Sequence, residues 1–222
     1  MTLRFLFYLG LLVVVFLLGL VSWSAMKPAF KFVVAILCLT ILSEATGRLL
    51  IYRFGISNDP VYHIYLPILY CLHGLTYLLL MPEKQSRLLV SLSIIVFIIA
   101  CIVNSLFFQR PEVFPSNALL VCCVLLITCA LFLFRKMLNE PVEENIFIQP
   151  VFWYNLAVLF FYSSTFLLWS FLNYFIRHKL DTGILTNLIY AASIIYYSLI
   201  GTSFLFMRRK NISARRGNHD AV

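Results

Sequence analysis

The sequence predicts an all-α polytopic membrane protein, a bundle of seven transmembrane helices, and three observations carry that prediction. Hydrophobic side chains make up 62% of the chain and charged ones only 12%, against roughly 25% charged in a soluble domain. The apolar residues gather in seven long runs, most of them near the ~20 residues that cross ~30 Å of hydrocarbon as a helix. The runs are divided by short polar connectors, so lipid must solvate most of these side chains.

The first run, 3–25, opens beside Arg4 and reaches past Trp23. It exceeds the apolar core of a signal peptide and lacks a small-x-small cleavage site before Lys27, so a retained first helix is expected. The second, 29–51, follows Lys27-Pro28, and the third, 61–81, follows Ser57-Asn58-Asp59-Pro60. Pro82-Glu83-Lys84 leads into 88–108, and Arg110-Pro111 with Pro115 into 118–134, which is marginal for a span unless it starts earlier. Pro141 and Pro150 precede 151–175, and Asp181-Thr182-Gly183 precedes 184–206. Residues 1–206 form one membrane domain on this reading, and 207–222 a basic, disordered cytoplasmic tail.

The net charge of +8 does not point to nucleic acid, because Arg208, Arg209, Lys210, Arg215 and Arg216 place five of the seventeen basic residues in the tail. Such a cluster suits anionic lipid at a cytoplasmic surface, and membrane lipids are the expected contact. With the amino terminus outside, six basic residues fall at outer helix ends and eleven at inner ends or the tail. Localisation in a bacterial inner membrane, carboxyl terminus in the cytoplasm, is therefore expected. The longest connector, 135–150, carries Glu140, Glu143 and Glu144 and would face the cytoplasm; it is too short for a catalytic domain. Asn211-Ile212-Ser213 is a glycosylation sequon on the wrong side for use. All six cysteines lie in apolar runs without metal-ligand spacing and read as small buried hydrophobes.

Polar residues inside the runs demand an explanation, since a charge at mid-bilayer costs roughly 2.5–3.5 kcal/mol on insertion scales. Glu44 is the one intramembrane carboxylate, and Arg48 stands four residues on, on the same helical face. They form either a neutralised packing pair or a charged anchor for a ligand. His63 and Tyr65 begin the third run on the same outer side, ahead of Pro67, which can loosen the helix. His73 and Tyr77 are deeper and share a face, and His73 reads as a satisfied core histidine. Asn104, Asn173, Asn187 and Tyr190 also fall in outer halves. Together Glu44, Arg48, His63, Tyr65, Asn104, Asn173, Asn187 and Tyr190 are the candidate lining of a pocket open to the outer face, with Glu44 and Arg48 as the anchor.

Several activities are excluded. The seventh run holds no lysine for a retinal Schiff base, and two intramembrane histidines are too few for a three-histidine zinc hydrolase. GxSxG, HExxH and Walker motifs are absent, and one glutamate is a thin relay for a pump. No metal or other cofactor is expected.

Glu44, Tyr62-His63-x-Tyr65, Phe152-Trp153-Tyr154-Asn155, Tyr162-Ser163-Ser164-Thr165-Phe166 and Asn173-Tyr174 give the chain a family look. Over residues of about 30 to 206 it resembles an uncharacterised family of small seven-helix membrane proteins of Bacteroidetes-like bacteria. The family pattern has Asn at the position of His63 and a second glutamate near Leu69, so Leu69 here departs from a two-carboxylate site. The resemblance implies the sensor half of a bacterial signalling system with a separate signalling protein as partner. A sensory or regulatory protein is the first expectation. A lipid-modifying enzyme using Glu44 with His63 as acid and base, and a passive membrane scaffold, are the alternatives.

Overall fold

The structure is a computed structural model that describes residues 3–81, 83–139 and 145–219. Among these residues it has seven membrane-length helices and no strand, and each helix is long and apolar enough to cross a bilayer. The chain is a multi-pass membrane protein. The helices are α1 (Leu3–Val21), α2 (Pro28–Leu49), α3 (Asp59–Leu80), α4 (Lys84–Val103), α5 (Ser116–Asn139), α6 (Pro150–Arg177) and α7 (Gly183–His219).

Local sequence explains the boundaries. Pro28, Pro60 and Pro150 sit at the first or second positions of α2, α3 and α6, where a missing N–H leaves no bond unmade. The last turns of α2 and α4 widen into π-helix over Leu50–Phe54 and Asn104–Phe108. Gly55, at φ 64°, ends the first of these: its N–H bonds to Ile51 while that of Ile56 reaches back to Leu50. Pro67 does not break α3, which continues through it from Asp59 to Leu80; the packed neighbours tolerate the freed carbonyl. The fifth span, short by sequence, gains its length by starting at Ser116 and ending at Asn139.

One expectation is corrected. The tail thought disordered from residue 207 is helical through His219. Extending an existing helix needs no new nucleus, and Arg and Lys are good helix formers, so α7 can run on past its apolar part. Residues 220–222 of that tail, and Glu140, Glu143 and Glu144 of the α5–α6 connector, lie outside the described residues.

Helices pack in the cyclic order α1, α2, α3, α5, α6, α7, with α1 against α7 closing the ring. Helix α4 touches α3 and α5 from outside, so Leu88, Leu92, Ile95, Ile99, Ile102 and Leu106 face lipid. The α3–α4 approach is close because Gly74 has no side chain: a Cβ there would come within 2.6 Å of Ile94. Lipid tails offer no hydrophobic gain on helix association, so such close packing and internal hydrogen bonds must hold the ring.

The half of the ring remote from the amino terminus holds large, fully buried side chains. Leu126, Tyr154, Phe30, Tyr77, Ile200 and Phe204 are completely or almost completely buried there, and a chain of polar contacts runs among them. The two nitrogens of buried His73 meet the hydroxyls of Tyr154 (2.9 Å) and Tyr162 (3.0 Å), as expected of a satisfied core histidine. One turn on, the Tyr77 hydroxyl donates to Asn155 Oδ1 at 3.0 Å, and Asn155 Nδ2 donates to the Ala130 carbonyl at 2.9 Å. These bonds tie α3, α5 and α6 together. The cysteines are all free; Cys101, Cys122, Cys123 and Cys129 are buried and Cys38 and Cys71 half-buried.

Candidate functional site

The other half of the ring is hollow. A chamber of about 190 Å³ lies on its axis, and all six ring helices contribute to the wall. Helix α1 supplies Tyr8; α2 supplies Ile36, Thr40, Ser43 and Glu44; α3 supplies Tyr62, Tyr65, Leu66 and Leu69. Phe114 enters from the α4–α5 connection and Leu119 from α5. Helix α6 contributes Phe161, Tyr162, Thr165 and Trp169, and α7 contributes Ile189, Ser193, Tyr196 and Tyr197. Nine of these nineteen side chains are aromatic and a single one, Glu44, is charged.

A vestibule of about 350 Å³ adjoins it and shares Tyr8, Ser43, Glu44, Tyr62, Trp169, Ile189 and Ser193 with the chamber. Its own residues include Phe5, Gly47, Arg48, Asn58, Thr186 and Tyr190, which belong to the helix ends and the α2–α3 connection. Glycine at 47 lets Asn58 close over α2, since a Cβ would lie 3.1 Å from that of Asn58. Glu44 thus stands where vestibule and chamber meet.

The hydrogen bonds around Glu44 are few. The Tyr8 hydroxyl donates to Oε1 at 3.2 Å. No buried side-chain nitrogen or oxygen among the described residues lacks a partner, so Oε2, which accepts no hydrogen bond, is accessible, and the cavities that Glu44 lines are the space beside it. The Glu44–Arg48 pair is not closed: the Arg48 guanidinium lies over the Phe5 ring, 3.8 Å from its centroid, a cation–π contact at the vestibule wall. One turn along α2 from Glu44, Thr40 donates to the Ile36 carbonyl (2.9 Å). Its one proton being used, it accepts from the Tyr65 hydroxyl (3.1 Å).

The eight candidates divide into three groups. Glu44, Arg48, Tyr65 and Tyr190 line the two cavities. Tyr190 forms a partition, its ring edge-on to Tyr8 at 6.0 Å and its other side on a lateral crevice with Arg4, Phe7, Asn187, Ala191 and Ile194. Asn187 is exposed in that crevice and bonds Arg4, and half-buried Asn173 follows Leu172 of the vestibule without lining it. His63 and Asn104 do not face the cavity. His63 Nε2 donates to the Val113 carbonyl (2.9 Å), so in the neutral ring Nδ1 accepts from Ser105 (2.7 Å). Asn104 donates to Gln109 Oε1 (3.1 Å) and accepts from Asn117 (3.3 Å).

Both therefore act on the α4–α5 connection, which carries Phe114. That ring stacks on Trp169 at 4.3 Å and meets Tyr62 at 5.0 Å. His63 is a positioning residue for the chamber wall. The acid–base pair that an intramembrane enzyme would need from Glu44 and His63 is not formed, since Tyr8 holds Glu44 and α4 with its connection holds His63. His63→Phe is expected to loosen the connection, raising amide exchange of residues 104–117 about 10- to 100-fold for two lost hydrogen bonds. Exchange in α6 should stay unchanged; mass-spectrometric hydrogen exchange checks both.

Residues missed by sequence reasoning include Tyr8, Trp169, Tyr196 and Ser193. Tyr8 carried a signal, as the lone hydrogen-bonding side chain between Arg4 and Ser22. Among the described residues no group of three or more His, Cys, Asp or Glu could hold a metal ion. Comparison with known proteins finds no matching family model, no matching curated protein and no matching solved structure.

Proposed function

We propose that the chain is a sensory or regulatory protein of a bacterial inner membrane, which takes a small ligand into the chamber from outside and passes the change to a separate partner on the cytoplasmic side. The observation that carries this is a chamber closed by six helices, walled by rings around one carboxylate, and reached through a vestibule at one membrane face. A lone carboxylate held open in a membrane protein calls for a function by default. The five basic residues of the tail, which break an otherwise even count between the two sides, support placing the vestibule outside.

The polar chain gives the message a path. Tyr162 is both chamber wall and partner of His73, so a ligand that moves it disturbs the Tyr162–His73–Tyr154 contacts joining α3 and α6. Labelling of Ser43→Cys tests the site. A charged thiol reagent added to intact cells should modify it beyond the wild-type background, and one class among small cationic, zwitterionic, anionic and neutral compounds should slow the reaction. The protecting compound should also change amide exchange around residues 130–139 and 150–158. Protection by none of the classes overturns the ligand site; protection without any change at the far end overturns the relay.

A further inference from the structure

We infer that the chamber is built for an organic ammonium ion, its charged nitrogen held against Glu44 Oε2 among the aromatic faces. The inference deepens the proposed function and rests on the chamber being a ligand site. It follows from sorting ligands by charge. An anion would meet the Glu44 carboxylate with no cation on the chamber wall, because Arg48 reaches only the vestibule. A neutral ligand would need no carboxylate there, and one answered only by the Tyr8 hydroxyl, with no cation in contact, is a standing cost.

A small hard metal ion fits no better, since it wants a cage of oxygens and Glu44 is the one carboxylate on the wall. An alkylated ammonium ion is large, weakly hydrated and attracted to aromatic faces as well as to the carboxylate. Tyr8, Tyr62, Tyr65, Trp169, Tyr196 and Tyr197 supply such rings around the space that Oε2 opens on. The chamber is below the usual size of a drug-sized pocket, which suits a head group of a few heavy atoms.

The order of charges sharpens the class. Glu44 borders both cavities and Arg48 the outer one alone, so a ligand with its ammonium leading and an anionic group trailing meets each charge with its opposite. The same chemistry occurs in a free zwitterion and in a zwitterionic lipid headgroup, and the lateral crevice beside Tyr190 leaves both open.

The test is calorimetric titration of the full chain in uncharged maltoside micelles with tetramethylammonium, choline, glycine betaine, trimethylacetate and choline's uncharged isostere 3,3-dimethylbutan-1-ol. Tetramethylammonium, choline and betaine should bind saturably, and trimethylacetate and the alcohol should not. Glu44→Gln should weaken all three ammonium compounds about 30-fold or more, whereas Arg48→Met should weaken betaine alone. Equal binding of the uncharged isostere, tighter binding of trimethylacetate, or unchanged affinity in Glu44→Gln overturns the inference; the isostere comparison, made on wild type, decides even if a variant misfolds. If the anion or the alcohol, and not the ammonium compounds, protects Ser43→Cys, the ligand site stands and the ammonium assignment falls; if no compound of any class does, both fall. Bilayers of phosphatidylcholine that displace tetramethylammonium, where phosphatidylglycerol bilayers do not, identify the headgroup as the natural source, and failure to displace it identifies the free ion.

Discussion

His73→Leu is expected to destabilise the folded protein by about 2–4 kcal/mol, since each buried hydroxyl left without a partner costs ~1–3 kcal/mol. Tyr154 and Tyr162 are 0% and 2% exposed, so no water replaces the lost imidazole. Tyr162 bears the larger share, because Thr76 stands beside the Tyr154 hydroxyl and can take it over. The imidazole suits the place because a neutral ring offers one donor and one acceptor, and a tyrosine hydroxyl can answer either. The triple change His73→Leu, Tyr154→Phe, Tyr162→Phe should recover most of the loss, as removing every member of a buried polar set leaves nothing unsatisfied. Thermal unfolding in detergent of the single and triple variants measures both. A single variant as stable as wild type would mean that the contacts do not bind α3 to α6, and the proposed relay would lose its mechanical basis.

The same network shows what could be read in the sequence and what could not. The seven spans were legible because length and composition decide them: a run that matches the bilayer thickness has no alternative to helix. His73 and Tyr77 could be placed on one face by their four-residue step. Their partners Tyr154, Tyr162 and Asn155 come from α6, and no local pattern shows which helices of a bundle are neighbours. The ring order, with α4 outside it, is likewise a tertiary fact: the high mean hydropathy of 2.7 over α4 is matched by α5, which stands in the ring.

At the site, depth was legible and direction was not. Glu44, Tyr65, His63 and Asn104 could be assigned to one half of the bundle, since helix polarity fixes which ends are level. Whether each points inward depends on helix rotation, which is weakly marked when lipid and core are equally apolar. His63 and Asn104 turned out to hold the connection bearing Phe114, because that loop brings the Val113 carbonyl and Gln109 within reach of them. Tyr8 escaped notice in an otherwise apolar helix, although a solitary hydroxyl there is as informative as a solitary charge.

Glu44→Leu is expected to raise stability by about 1–3 kcal/mol while abolishing ligand protection of the chamber. The sign separates a functional carboxylate from a structural one. Were Glu44 the closed partner of Arg48, its removal would leave a buried guanidinium uncompensated and cost ~3–5 kcal/mol. Instead Arg48 rests on Phe5 at the vestibule, so it loses no direct contact. Tyr8 loses its acceptor, but the Tyr197 hydroxyl beside it, which donates to Tyr8, can turn to accept instead. What disappears is an acidic group whose place in a helix costs ~2–3 kcal/mol at mid-bilayer relative to leucine, and less nearer the interface. Thermal unfolding of Glu44→Leu beside Glu44→Gln is the measurement. A rise in midpoint with loss of protection at Ser43→Cys is the outcome for a carboxylate kept against stability because a ligand needs it. A fall of several kilocalories would make the residue a packing element, and the chamber a gap between helices.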